Sequence, residues 1–152
     1  MTKDGFTVLL VEDDPDDVFF LRDAFKKTGM ADALRVVRDG EEAVAYLLGL
    51  AAYADRTLHP LPALVLLDLK LPRKSGLEVL EWRRGRPELM RIPVIVLTSS
   101  QSEDDMNKAY EFGANSYLVK PISSDAQLDM VKAIQGYWTA LNKVPKSPAA
   151  EG

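Results

Sequence analysis

Cysteine is absent from the 152 residues, which removes disulfides, thiolate zinc sites and cysteine nucleophiles from consideration. Its absence suits a reducing compartment. Histidine occurs once, as His59; in a Pro-flanked loop it reads as solvated and is no candidate metal ligand. Basic residues are not in excess, since the formal net charge is -4, so neither nucleic acid nor an anionic membrane is expected as a main partner. No apolar run approaches the roughly 18 residues of a membrane span. The opening MTKDGFTVLLVEDD reaches acids where a signal peptide would still be apolar. A cytoplasmic protein is expected.

What is present is ordinary for a soluble globular chain, with 47% hydrophobic and 28% charged residues. The length suits one domain that buries about two thirds of the surface its unfolded form would expose. That domain is expected over residues 6–142. Residues 143–152 are too few and too rich in Pro, Ala and Ser to form a second one, and are expected to be a disordered tail.

Short apolar runs alternate with helical spacing. Thr7–Val11, Leu34–Val37, Ala63–Leu67, Pro93–Leu97 and Ser116–Val119 read as strands. Helices are expected over Asp16–Thr28, through Ala43, Leu47 and Leu48, over Gly76–Arg84, from about Ser102 to Phe112, and from about Ser124 to Leu141. Five strands alternating with five helices point to an α/β fold, a doubly wound parallel sheet covered on both faces. Strands that are apolar throughout agree with burial on both sides. Residues 51–62 (AAYADRTLHPLP) form an unusually long connection before the third strand.

Functional groups in such sheets gather beyond the carboxyl ends of the strands. Here those ends carry Glu12, Asp13 and Asp14 after the first strand, Asp68 after the third, Thr98 after the fourth and Lys120 after the fifth. Parallel strands would place all of them on one edge. Crowded carboxylates repel, so one is protonated or a cation neutralises them. An all-oxygen site with few protein ligands suits Mg²⁺. Lys120 would neutralise part of the remaining charge and reach a phosphoryl oxygen. A carboxylate between a metal and a lysine is a nucleophile toward phosphorus, giving an aspartyl phosphate. Thr98 could donate its hydroxyl to the same group. Asp14, followed by Pro15, reads instead as a helix cap.

VLLVEDDP, LLDLKLPRKSG, VIVLTSS and GANSYLVKP resemble, in order and spacing, the signature segments of response-regulator receiver domains. The resemblance implies a flavodoxin-like sheet of order 2-1-3-4-5 and assigns roles by position. Asp68 would be the phosphoacceptor, with Glu12 and Asp13 as the acid pair. Asp13 and Asp68 would ligate Mg²⁺ (or Mn²⁺) directly and Glu12 through water, and the backbone carbonyl of Lys70 would complete the protein ligands. Thr98 would be the switch hydroxyl, Tyr117 the aromatic that turns inward, and Lys120 the site lysine, preceding a cis Pro121. The connection before the third strand and the ending IQGYWTALNKVP are further similar to small stand-alone receivers that partner phytochrome-type histidine kinases. The implied function is a phosphorelay response regulator without a DNA-binding output domain. Its signal would leave through protein contacts, with a homodimer on the face of the fourth helix, fifth strand and last helix as a candidate form.

Simpler readings exist for several of these residues. Asp68 alone could cap the next turn, Thr98 could merely start a loop, and Tyr117 could be plain core. Tyr137, Trp138 and Leu141 either finish the core or form a partner face. An aspartate-nucleophile phosphatase usually needs a second acid two residues after the nucleophile. That position is Lys70, which argues against turnover of an external substrate. A degenerate receiver used only for binding is disfavoured because every expected site residue is present.

Overall fold

A computed structural model describes residues 6–138. Its strands are β1 (Val8–Val11), β2 (Leu34–Val37), β3 (Leu64–Leu67), β4 (Val94–Thr98) and β5 (Ser116–Val119). Between and after them lie α1 (Pro15–Lys27), α2 (Gly40–Leu48), α3 (Gly76–Arg84), α4 (Glu103–Glu111) and α5 (Ser124–Gly136). All pairings are parallel, in the order β2-β1-β3-β4-β5.

The strands are apolar throughout because both faces are buried, and alternate residues serve different layers. Leu9, Val11, Val65, Leu67, Val94 and Val96 point to one side, where they pack with Ala43 and Leu47 of α2, Val79 and Leu80 of α3 and Ala109 of α4. Val8, Leu10, Leu64, Leu66, Ile95 and Leu97 point to the other, against Val18, Leu21 and Phe25 of α1 and Val131 and Ile134 of α5. Burying each such side chain contributes about 1.5–3 kcal/mol. The central strands are therefore a stiff base for whatever follows them.

Helix starts follow local chemistry. The Asp14 side chain accepts from Asp16 N at 2.9 Å, with Pro15 at the first helical position, so Asp14 is a cap, as its sequence context indicates. Asp39 caps α2, and Ser75 and Glu78 form a reciprocal capping box at α3. Two helix starts require glycine because backbone lies against them. A Cβ on Gly40 would lie 1.9 Å from the Lys74 carbonyl oxygen, and one on Gly76 2.2 Å from that of Asp68.

Two expectations change. The peptide bond before Pro121 is trans, as are all those described; the trans isomer is the lower in energy for most X–Pro bonds. The α-helical part of the last helix runs to Gly136; Leu141, its expected end, lies outside the described residues, as does the 143–152 tail. His59 is half-buried, not solvated. Its ring meets Tyr53 edge-on at 5.1 Å and Tyr46 at 5.9 Å. That cluster organises the 51–62 connection. Arg56 donates to the Tyr46 and Leu47 carbonyls in the last turn of α2 and to the His59 carbonyl, while Tyr46 Oη donates to Pro60 O at 2.9 Å.

Candidate phosphoacceptor and metal site

The sheet register carries the site. Val11 and Val37 lie level, as do Val11 and Leu67, and Leu67 and Val96. The hydrogen-bonded ladder continues one step past the strands. Glu12 N donates to Val37 O at 3.0 Å, Asp68 N to Val11 O at 3.1 Å, and Lys120 N to Thr98 O at 2.8 Å. The backbones of Glu12, Asp68 and Lys120 are thus fixed by the sheet, and only their side chains are free to respond.

Those side chains converge. Lys120 Nζ lies 2.6 Å from Glu12 Oε1, 2.8 Å from Asp17 Oδ2 and 3.3 Å from Asp68 Oδ2. The three N–H donors of one ammonium are matched by three carboxylates. Glu12 and Asp68 are buried while Asp13 is exposed, and each offers an oxygen within 4.8 Å of the others. Three hard oxygens, one facing solvent, form a donor set that suits Mg²⁺ or Mn²⁺ and leaves positions for water. The Lys70 amide lies 3.5 Å from Asp68 Oδ1, which sets the Lys70 backbone beside the acceptor, while its side chain is exposed.

The electrostatics follow from burial. Desolvation pushes the Glu12 carboxyl up to about 7; Lys120 opposes that shift and the charge of Asp68 reinforces it. For the Lys120 ammonium, burial works toward deprotonation. Hydrogen bonds to Asp17 and Glu12, with the charges of Asp68 and Glu12, outweigh burial and hold its pKa above the usual lysine value.

Thr98 is fully buried at the end of β4, and its hydroxyl oxygen accepts from Ser100 N at 3.3 Å. Tyr117, paired with Val96 across the β4–β5 ladder, is half-buried, and its hydroxyl donates to Ser100 O at 3.0 Å. Ser100 therefore links the two residues through the loop between β4 and α4. Of the residues proposed for a partner face, Tyr137 is half-exposed and Trp138 packs partly against the α1/α5 core cluster.

Sequence reasoning placed Glu12, Asp13, Asp68 and Lys120 on one edge, and they meet there. It missed Asp17. The available signal was that α1 starts directly above the sheet edge, so a first-turn acid comes within reach of anything mounted there. Arg83 was missed too. It is 2% exposed inside the α3–α4 packing, with Nη2 donating to Ile92 O at 2.7 Å and Nη1 to Gly113 O at 3.2 Å.

Comparison with known proteins adds an independent line. The family model for the response regulator receiver domain matches residues 8–132. The chain is 40% identical over 143 residues to the probable methanogenesis regulatory protein FilR2 of Methanothrix harundinacea, covering 94% of this chain and 90% of that protein. It is 38% identical over 138 residues to response regulator Rcp1 of Synechocystis, covering 91% and 92% respectively. The crystal structure of Mn²⁺-bound Rcp1 superposes with a TM-score of 0.81 at 37% identity, covering 93% of this chain and 99% of that one. That of the phosphorylated cyanobacterial phytochrome response regulator RcpA gives 0.85 at 36% identity, with the same coverage.

Proposed function

Because this chain belongs to the response regulator receiver domain family, we propose that it works as a phosphorylation-driven switch with Asp68 as its phosphoacceptor. The observation that carries the reading is Lys120 Nζ bound at once to Glu12, Asp17 and Asp68, beside three carboxylate oxygens able to hold one cation.

In the forward step an Asp68 carboxylate oxygen attacks the phosphorus of a phosphohistidine on a sensor kinase. The P–O bond to Asp68 forms as the P–N bond breaks, and the imidazole leaves with the electron pair and takes a proton. In the reverse step water attacks the same phosphorus, releasing inorganic phosphate and restoring the carboxylate. The cation, held by Asp13 and Asp68, by Glu12 through water and by the Lys70 carbonyl, would offset charge on the transferring phosphoryl. Lys120 supplies a fixed positive charge on the other side. Phosphorylation adds about -1.5 to -2 charge at this edge. The Thr98 hydroxyl turns from Ser100 N to the phosphoryl, the β4–α4 loop follows, and Tyr117 is carried with it through its bond to Ser100.

The output face is the one made by α4, β5 and α5, where Tyr110, Val119 and Tyr137 are exposed; a homodimer is one form its contacts take. Phe19 and Phe20 on α1, soon after Asp17, and Ile122, two residues past Lys120, are exposed apolar side chains available to a docking kinase domain. A phytochrome-type kinase is the favoured donor, since Rcp1 and RcpA are similar over nearly the whole chain and RcpA is a phytochrome response regulator. The chain's own chemistry is limited to making and losing its acyl phosphate.

Incubation with acetyl phosphate and Mg²⁺ tests this reading. Wild type should incorporate phosphoryl and Asp68→Asn should not; equal labelling of the two, or fast multiple turnover of a generic phosphate ester, would overturn it.

A further inference from the structure

Lys120 has three N–H donors and all are engaged: by Glu12, Asp17 and Asp68. Two of these carboxylates belong to the set that can hold a cation. Asp17 does not, yet at 2.8 Å it lies closer to Nζ than Asp68 does at 3.3 Å. Nor is Asp17 needed as the cap of α1, a role already filled by Asp14. Its side chain is 24% exposed, against 1% for Glu12 and 8% for Asp68, so it is the partner most easily returned to water. The lysine end is better anchored, because Gln127 Nε2 holds the Pro121 carbonyl at 3.0 Å.

We propose that Asp17 is a positioning residue that competes with the phosphoryl group for Lys120. In the unphosphorylated protein it occupies the N–H that a phosphoryl on Asp68 would take, and that contact must be given up when the phosphoryl arrives. Asp17 therefore sets the balance between the two states, biasing the site toward the unphosphorylated one. This rests on the reading of Asp68 as phosphoacceptor.

The purely structural alternative is an acid in the first turn of α1, favourable to the helix dipole. The two roles predict different results for an acyl-phosphate mimic. With Mg²⁺ present, beryllofluoride should bind Asp17→Asn about threefold to tenfold more tightly than wild type, as expected when a partly exposed competing charge is removed. Asp17→Glu, which keeps the charge, should bind within about twofold of wild type. Unchanged or weaker binding by Asp17→Asn, with wild type binding normally, overturns the competition and leaves the phosphoacceptor reading intact. Tightening by Asp17→Glu as large as that by Asp17→Asn overturns it too, because charge would not be the cause. Failure of the wild type to bind beryllofluoride with Mg²⁺ overturns both readings.

Discussion

Replacing Gly76 with alanine should damage the site through the backbone alone. Gly76 opens α3, and its amide donates to Leu69 O at 2.9 Å, so the helix start lies directly on the chain leaving Asp68. An added Cβ would lie 2.2 Å from the Asp68 carbonyl oxygen and 2.7 Å from Leu69 Cα. Ordinary contact begins near 3.4 Å, so the two segments must part by roughly 1 Å, and neither is a side chain that can rotate aside. Such overpacking costs about 1–3 kcal/mol, offset by up to about 1 kcal/mol of better helix propensity. A net loss of about 1–2 kcal/mol should lower the melting temperature by roughly 2–8 °C in a domain of this size. Because the displaced carbonyl belongs to Asp68, Mg²⁺ affinity should fall as well. Gly136→Ala is the control, since nothing lies within 4 Å of its Cβ position; it should be neutral or stabilising by up to about 1 kcal/mol, with Mg²⁺ affinity unchanged. Thermal unfolding with a calorimetric Mg²⁺ titration reads both quantities. A Gly76→Ala protein as stable as wild type and with the same affinity would refute the claim that α3 packs against the acceptor loop.

Burial raises the Glu12 carboxyl from 4.5 to about 7, so the metal-free fold favours its protonated form. The stability this group contributes is complete below pH 4.5 and is lost as pH rises through about 7. Cation binding needs the ionised form, so Mg²⁺ affinity should climb with pH through the same region. Titrations in buffers of different ionisation enthalpy should detect proton release below pH 7; an affinity flat across that range would refute the assignment. Arg83→Ala should cost about 3 kcal/mol or more in urea unfolding, because it opens a void and strips the donors from Ile92 O and Gly113 O. A cost under about 1 kcal/mol would show that this buried guanidinium holds little together.

Much of the architecture was legible because hydrophobic period reports directly on which faces are covered. Leu34–Val37, Ser116–Val119 and Gly76–Arg84 fall where their spacing places them. Thr98 extends β4 by one residue because its carbonyl still accepts from Lys120 N. Side-chain reach is another matter. The contact between Asp17 and Lys120 spans 103 residues and that between Asp68 and Lys120 spans 52. Only the strand-end position of Asp68 and Lys120 betrayed their partnership; Asp17, inside a helix, carried no such mark. His59 and Arg56 were illegible for a related reason. Their order comes from Tyr46 and Tyr53 and from the carbonyls at the end of α2, none of which periodicity connects to a Pro-flanked loop. Arg83 read as one of two basic residues in the last turn of α3, and nothing local distinguishes it from exposed Arg84.

The most direct test of the central claim is peptide mapping by mass spectrometry after phosphotransfer from a phosphorylated histidine kinase in the presence of Mg²⁺. A single phosphoryl group on the peptide carrying Asp68, lost in alkali and absent from Asp68→Asn, is the predicted result. A phosphoryl group mapped to Thr98 or another hydroxyl, or transfer that persists in Asp68→Asn, would contradict it.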